Sequence, residues 1–170
     1  MLRVSTAGFA RTASQRAFVS SAIIATVAVN ETKASAPTKK KKTQTKLRKE
    51  LDRIFSLYIR NRDRNENGMP VCYTCDRAME FRSSQCGHFV PRQYLAVRYS
   101  EINCHTQCYA CNMLYNGQPS KFALNLERDY GRGIVKKLES QRQIITKNFP
   151  YEALIVEYTA KLEANYPALG

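Results

Sequence analysis

Residues 71–75 read Val-Cys-Tyr-Thr-Cys, and residues 103–112 read Asn-Cys-His-Thr-Gln-Cys-Tyr-Ala-Cys-Asn. The chain therefore carries two Cys-x2-Cys pairs, Cys72/Cys75 and Cys108/Cys111, with 32 residues between them. This is the spacing of a four-thiolate zinc site, in which each pair supplies two corners of a tetrahedron. Because soft thiolates in a closed shell favour zinc and leave no position for substrate, we expect a structural zinc ion that organises a small α+β domain.

Other uses of the cysteines are open. The six cysteines of the chain also allow redox chemistry or a secreted disulfide scaffold, but two CxxC pairs in a basic chain favour metal ligation. Cys86 and Cys104 lie outside the quartet. We expect them to be small buried side chains, with an alternate thiolate ligand as the second interpretation.

Both histidines of the chain lie between the first pair and the second. Residues 85–92 read Gln-Cys-Gly-His-Phe-Val-Pro-Arg, with His88 at the centre. Hydrolysis of a phosphodiester needs a base for water and a cation for the developing charge, and an imidazole that titrates near pH ~6.5 suits the first role. Asn112, directly after Cys111, offers a hard oxygen to Mg²⁺ or Mn²⁺, although such a position is also that of a helix N-cap.

The order CxxC, QCGHF, Pro91-Arg92, NCHxQC and CN resembles the NinG (Rap) family of phage recombination nucleases, a zinc-containing, endonuclease VII-like group of HNH (His-Me finger) enzymes. The resemblance covers about Leu47 to Lys161. It implies cleavage of branched DNA such as Holliday junctions, and a ββα-metal, treble-clef-like finger flanked by helices. It also implies that His88 and Asn112 lie near a catalytic divalent ion.

The same resemblance assigns further residues. Asn103 matches the middle asparagine of HNH motifs, which orients the loop by hydrogen bonds to the backbone. His105 could assist the metal shell, contact phosphate or pack. Many HNH proteins have an aspartate where this chain has Gly87, which leaves the ligand set of the Mg²⁺ or Mn²⁺ ion incomplete. The NinG-like pattern itself has glycine there.

The charge of the chain favours a polyanionic partner. The formal net charge is +13, and residues 1–46 hold nine Lys and Arg against the single acid Glu31. Counterion release from phosphates makes nucleic acid the common partner of such surfaces. We expect phosphate contacts from Arg92, Arg98 and the run Lys39, Lys40, Lys41 and Lys42, with solvated side chains as the alternative.

The organisation of the chain follows from its composition. Residues 1–46 are expected to be a disordered basic tail, and residues 47–165 a single domain with a zinc core over about 69–117 and C-terminal helices over about 119–165. Apolar spacing predicts an entering helix to about Arg62, with Thr45 as N-cap. Short strands are predicted at 71–74 and 78–82, and later helices to Tyr130, over 134–146 and over 150–165.

The first thirty residues are rich in Ser, Thr, Ala and Arg and hold no acid, which is the composition of a mitochondrial transit peptide. A secretory signal around Ala17–Val29 and an extension without function are the alternatives. No apolar run reaches the roughly 18 residues that would span a bilayer. We expect an intracellular protein, mitochondrial if eukaryotic and otherwise in the cytoplasm of a phage host.

These features predict a structure-specific DNA endonuclease that cuts branched DNA, acting as a homodimer because resolution of a junction needs two incisions. A zinc-stabilised DNA- or RNA-binding protein without catalysis is the second hypothesis, since the same basic surface would grip phosphates. A secreted disulfide protein is a third.

Overall fold

The computed structural model describes residues 42–166, and these form an α+β fold of helices around a two-stranded antiparallel sheet. This agrees with the α+β class predicted from the sequence. The elements, in chain order, are α1 (Gln44–Arg62), β1 (Ser84–His88), α2 (Leu95–Arg98), β2 (Cys104–Cys108), α3 (Pro119–Tyr130), α4 (Ile134–Ser140) and α5 (Tyr151–Asn165). Short 3₁₀ turns occur at Phe81–Ser83 and Gln141–Gln143, and a π-helical turn at Ala110–Leu114. Residues 1–41, which include the predicted transit peptide and Lys39 to Lys41, lie outside the described residues.

Helix α1 forms because its apolar residues recur every three to four positions. The buried set is Leu47, Leu51, Ile54, Phe55 and Ile59. The predicted N-cap is wrong by two residues: the cap is Thr43, whose side-chain oxygen accepts a hydrogen bond from the backbone N–H of Lys46 at 3.4 Å.

Strand β1 pairs with β2 in a register that sets Ser84 opposite Cys108 and His88 opposite Cys104. The strands predicted at 71–74 and 78–82 are wrong, since this stretch makes one bridge, Val71 with Ala78. The first cysteine pair turns too tightly for a ladder: the N–H of Asp76 donates to the carbonyl of Cys72 at 2.8 Å, and Asp76 itself has a φ of 56°.

The two faces of the hairpin meet different helices, because side chains alternate along a strand. The α1 face carries Ser84, Cys86, His88, Cys104, Thr106 and Cys108. The hydroxyl of Thr106 donates to the Ile59 carbonyl of α1 at 3.4 Å. The α3 face carries Gln85, Gly87, His105 and Gln107, and the His105 ring lies 5.8 Å from the Phe122 ring of α3.

Two apolar clusters fill the interior. The first joins α1 to α5, where the rings of Phe55 and Tyr158 meet edge to face at 4.9 Å. The second lies under α3 and α4 and contains Val90, Val97, Phe122, Leu126 and Leu138.

Helix α4 ends at Ser140, six residues before the predicted end, and a 3₁₀ turn follows. Ile144 and Ile145 are 57% and 85% exposed, so the apolar residues that suggested a longer helix do not enter the core. None of the helices in residues 42–166 combines the length and apolarity that crossing a membrane requires.

Candidate functional site

The four paired cysteines come together at one end of the hairpin. The Sγ atoms of Cys72, Cys75, Cys108 and Cys111 all lie within 4.8 Å of one another, and those of Cys75 and Cys108 are 3.9 Å apart. Four thiolates around zinc at about 2.3 Å in a tetrahedron stand about 3.8 Å apart, so the spacing fits the ion. These four cysteines could hold a zinc ion.

The surroundings of this quartet affect its thiols differently: the pKa of Cys72 is lowered, whereas those of Cys75 and Cys111 are raised. Burial alone would raise the pKa of Cys72, but hydrogen bonds from the Thr74 hydroxyl and from backbone N–H groups lower it to about 6. The N–H of Cys111 also points at Cys108 Sγ, at 3.4 Å. Burial raises the pKa of Cys75 to about 12, so that ion binding at this thiol releases a proton near neutral pH.

His88 is the last residue of β1 and is partly buried between the hairpin and α2. Its Nε2 lies 3.2 Å from the carbonyl oxygen of Arg98, and because a carbonyl only accepts, Nε2 carries the hydrogen of this bond. Burial, with the charges of Arg98 and Arg92, lowers the pKa of His88 to about 4 against the carbonyl hydrogen bonds that raise it. The ring is therefore neutral at pH 7 and keeps its lone pair on Nδ1.

A pocket of about 410 Å³ opens beside His88. It adjoins a shallower groove of about 820 Å³, with which it shares Asp52, Arg92 and Arg98. The cationic side chains that line the two cavities are Arg48, Lys49, Arg53, Arg60, Arg92 and Arg98, against the single carboxylate Asp52. The surface at His88 is therefore strongly basic.

The two arginines predicted to hold phosphate differ. Arg92 is exposed at the mouth of both cavities. Arg98 binds Asp52 through two parallel hydrogen bonds of 2.9 and 2.7 Å, and donates a third to the Arg92 carbonyl at 2.7 Å. Because three of its five N–H groups are engaged within the protein, Arg98 has two left for a ligand.

The predicted partners His88 and Asn112 do not touch. Asn112 lies in the π-helical turn, and its Nδ2 donates to Gln85 Oε1 at 2.7 Å, at the zinc end of the hairpin. Gln85 is among the residues that line the pocket, whereas Asn112 is not. His88 stands at the other end of β1, about 10 Å further along the strand from Gln85.

Asn103 and His105 are both buried. The side chain of Asn103 accepts from the N–H of Val90 at 2.7 Å and donates to the carbonyls of Val90 and Val97 at 2.9 and 3.1 Å, which closes the loop between the strands. His105 lies on the α3 face, away from the pocket, where it stacks on Tyr73 at 3.8 Å.

His105 is also held by hydrogen bonds. Its Nδ1 is 3.1 Å from Nη2 of Arg62 and 3.6 Å from a carboxylate oxygen of Asp63, and its Nε2 is 3.4 Å from the hydroxyl of Tyr130. The sequence left three roles open for His105: to assist the metal shell, to contact phosphate or to pack. The position of His105 is that of a packed residue.

Several pocket residues were not predicted. Asp52, Arg60 and Tyr99 line it, but they come from α1 and from the end of α2, and Asp52 is 46 residues away from its partner Arg98. Asp52 and Arg60 are eight residues apart, so the sequence does predict that they share the polar face of α1. It does not predict which other residues pack beside that face.

Lys42, at the start of the described residues, is paired with Glu50 at 2.6 Å. Two groups of His, Cys, Asp and Glu side chains within residues 42–166 are close enough to hold a metal ion: the cysteine quartet, and Cys86 with His88 and Cys104. Neither group contains a carboxylate, so a Mg²⁺ or Mn²⁺ site has no support from such clusters in the described part of the chain.

Comparison with known proteins identifies a family for this chain. No curated protein and no solved structure matches the chain. The family described as the bacteriophage lambda NinG protein matches over residues 15–166. This match begins about thirty residues before Leu47, where the resemblance read from the sequence motifs begins. It therefore includes most of the basic tail over residues 1–46, which the sequence motifs did not cover. Because the match covers most of the sequence, the chain belongs to the NinG family.

Proposed function

We propose that the chain is a metal-dependent endonuclease that cleaves branched DNA, with His88 as the base that activates water. The observation that carries the proposal is the hydrogen bond from His88 Nε2 to the Arg98 carbonyl, which leaves the lone pair on Nδ1 in a histidine that lines a pocket rich in arginines. A neutral imidazole in a fixed tautomer can accept a proton from water at pH 7, but a pKa of about 4 makes His88 a weaker base than the free imidazole expected from the sequence.

The basic groove supplies the affinity for DNA in this proposal. Arg48, Lys49 and Arg92 lie along it without a carboxylate partner among their described contacts, and each phosphate that they neutralise releases counterions. Arg92, at the mouth of the pocket, is the residue that we assign to the phosphate next to the scissile bond. Arg98 keeps two N–H groups for the same phosphate while Asp52 orients it.

The zinc ion has a structural role in this proposal. Cys108 ends β2 and is paired with Ser84, the first residue of β1, so an ion at the quartet holds one end of the hairpin and His88 stands at the other. We propose on this basis a ββα-metal finger of the HNH class, made of the hairpin, the π-helical turn and the quartet.

The catalytic ion in this proposal is Mg²⁺ or Mn²⁺, which would polarise the phosphate and stabilise the leaving oxygen when bound. Asp52 and Gln85 line the pocket and carry hard side-chain oxygens, and Asn112 donates a hydrogen bond to Gln85. These are few, and Mg²⁺ retains several waters, so we assign most of its remaining ligands to the substrate phosphate and to water.

A homodimer is part of the proposal because resolution of a four-way junction takes two incisions. Sedimentation of the protein with and without a junction, at several protein concentrations, measures its assembly state. A particle of one chain per junction under conditions of full cleavage would contradict the dimer.

The test of the nuclease uses a labelled four-way junction and a linear duplex of the same sequence, in EDTA, Mg²⁺ or Mn²⁺, with free zinc kept low. We expect incision of the junction that requires the divalent ion and falls at least about 100-fold in His88→Ala, the usual weight of general acid–base catalysis. Binding to the junction should stay within a few-fold of wild type in that variant.

A second function, nucleic-acid binding without catalysis, is favoured by the same arginines. It predicts tight, salt-dependent binding with no incision in any ion. Arg92→Ala should weaken binding under either function, whereas Arg132→Ala, an exposed arginine after α3, is the matched control and should not. Incision that is equal in wild type and His88→Ala, or absent throughout, would sink the nuclease and leave the binding protein.

A further inference from the structure

We propose that Cys86, His88 and Cys104 form a second metal site, separate from the cysteine quartet, which takes a soft divalent ion of the zinc class. We further infer that occupation of this site switches off His88 as a base. The second statement rests on the proposed function, whereas the first stands without it.

The three side chains converge because of the strand register. His88 is directly opposite Cys104, and Cys86 lies two residues before His88 on the same face of β1. One ligand atom from each, a ring nitrogen and two Sγ atoms, lies within 4.8 Å of the other two. The ligand atoms of the cysteine quartet lie within the same limit, so an ion could be bound by all three side chains with small adjustments.

A disulfide between Cys86 and Cys104 explains this proximity less well. The residue opposite Cys86 is Thr106, so Cys104 is its diagonal neighbour. Diagonal neighbours in an antiparallel pair stand about 7–8 Å apart at Cα, beyond the range that a disulfide spans without movement of the backbone. Convergent thiols that cannot readily pair with each other are suited to a shared ion.

The donor set selects the class of ion. Two thiolates and one imidazole are soft or intermediate ligands, which favour zinc over magnesium. Three protein ligands leave one tetrahedral position open, and Cys86 and His88 line the pocket, which gives an entry path. Two thiolates and one divalent ion make a neutral unit, so the nearby guanidinium groups of Arg60, Arg92 and Arg98 do not oppose the loaded site.

The hydrogen bond between His88 and the Arg98 carbonyl is a further feature that metal-binding histidines share. Metal-binding histidines usually donate their second ring N–H to a carbonyl or carboxylate, and His88 Nε2 already contacts the Arg98 carbonyl at 3.2 Å. A neutral imidazole has one lone pair. If that pair binds an ion, the ring cannot accept a proton from water, and the same residue cannot serve as base while the site is loaded.

The regulatory consequence is inhibition by zinc of an enzyme that needs zinc to fold. The quartet is closed and has four thiolates, so it loads first, and the three-ligand site loads at higher free zinc. Nuclease activity is therefore expected to fall as free zinc rises from the level that fills the quartet to the level that fills both sites.

The experiment measures bound zinc per full-length chain by elemental analysis, across a series of free zinc concentrations set by a chelator buffer. The variants are Cys86→Ser, which removes one ligand of the second site, and Ser56→Ala, a matched change at a pocket residue that offers no ligand in the proposal. Far-ultraviolet circular dichroism checks folding. Cobalt, bound in place of zinc, reports the number of thiolate ligands through its charge-transfer absorption.

We expect wild type and Ser56→Ala to bind about one zinc at low free zinc and about two at high free zinc. Cys86→Ser should bind the second ion at least about tenfold more weakly, since loss of even an outer partner of a metal ligand costs that much. A single ion in wild type at every concentration would overturn the site. Two ions with equal affinity in wild type and Cys86→Ser would place the second one elsewhere and overturn it too.

Junction cleavage measured on the same samples separates the two proposals. The inhibitory role is supported if the rate of cleavage falls as the second zinc ion binds. In Cys86→Ser, the same inhibition should then require a higher concentration of free zinc. Cleavage that is undiminished when the second ion is bound refutes that role. A second ion that binds as expected in a protein that never cleaves DNA refutes the nuclease and keeps the metal site.

Discussion

The side chain of Gln107 lies directly over Gly87 on the α3 face of the hairpin, so that a Cβ at position 87 would stand 2.7 Å from Gln107 Cδ and 2.9 Å from its Cγ. Gln107 is fixed there, because its Nε2 donates to the Thr74 hydroxyl at 3.1 Å and to the Gly117 carbonyl at 2.8 Å. Glycine is thus required at position 87 by packing.

The first prediction follows from this contact. Gly87→Ala should lower the free energy of unfolding by about 1–3 kcal/mol, the cost of overpacking, and Gly87→Asp by more, because it would also bury a charge. Urea denaturation of the zinc-loaded protein measures both. In a Gln107→Ala background, Gly87→Ala should cost less, since the space is then open. A Gly87→Asp protein as stable as wild type would contradict this account.

The second prediction concerns the quartet. Chelation of zinc, or Cys72→Ser, should unfold the hairpin, because structural zinc supplies on the order of 10 kcal/mol in small zinc domains. Thermal melts by circular dichroism, with alkylation of the free thiols, record the loss. Readdition of zinc should restore the wild-type melt and leave Cys72→Ser unfolded. A chelated protein with an unchanged melting temperature would show that the quartet does not hold a structural ion.

The third prediction separates binding from cleavage at Asp52. This carboxylate holds Arg98 and also accepts from the Tyr99 hydroxyl at 2.7 Å. Asp52→Asn removes a negative charge from the basic groove, so affinity for DNA should rise modestly. Cleavage should fall several-fold, because Arg98, whose carbonyl orients His88, loses its anchor. Glu127→Gln, which removes the same charge from an exposed residue of α3 that lines neither cavity, is the control, and it should change neither property. Unchanged cleavage in Asp52→Asn would remove Asp52 as a positioning residue.

The fourth prediction concerns Asp63, which accepts the N–H of Thr106 and a guanidinium N–H of Arg62, both at 2.7 Å. Burial alone would raise the pKa of Asp63, but His105 and Arg62 lower it below its ordinary value. A carboxyl whose pKa is lower in the folded state stabilises the fold above the unfolded value near ~3.9, and this contribution is lost as the pH falls below it.

Asp63→Asn should therefore cost about 2 kcal/mol or more at pH 7 and show a weaker loss of stability between about pH 4 and pH 2 than wild type. Chemical denaturation at a series of pH values measures this. Asp76→Asn is the control, since Asp76 is exposed and asparagine tolerates its positive φ. Parallel acid profiles for wild type and Asp63→Asn would contradict the assignment.

Local sequence patterns predicted the parts of the fold that depend on interactions between residues close together in the chain. The apolar spacing along α1, α3 and α5 identified those helices, and the two CxxC pairs identified which four thiols converge. The strands were misplaced because the first pair lies in β-favouring residues, whereas the ladder forms at 84–88 around Gly87. The β-propensity of these residues does not show that the N–H of Asp76 and the carbonyl of Cys72 bond to each other in a turn, where a strand would need both groups for its ladder.

The pocket depends on long-range packing and was predicted only in part. His88 and Arg92 were identified from a local motif, but Asp52 and Arg60 enter the pocket from α1. Cys86 and Cys104 illustrate the same limit. Each alone resembles a small buried residue, and their approach to His88 depends on the register of β1 on β2.

The pairing of α1 with α5 also governs the order in which the chain can fold during synthesis. The second cluster and the quartet draw on residues between Cys72 and Leu138, so they can form while the C-terminal segment is still in the ribosome. The first cluster also needs Tyr151 and Tyr158, so the part of the α1 apolar face that α5 covers stays exposed until α5 has left the ribosome. During that interval Phe55 lacks its contact with the ring of Tyr158, and we expect α1 to be a segment of the nascent chain that a chaperone binds.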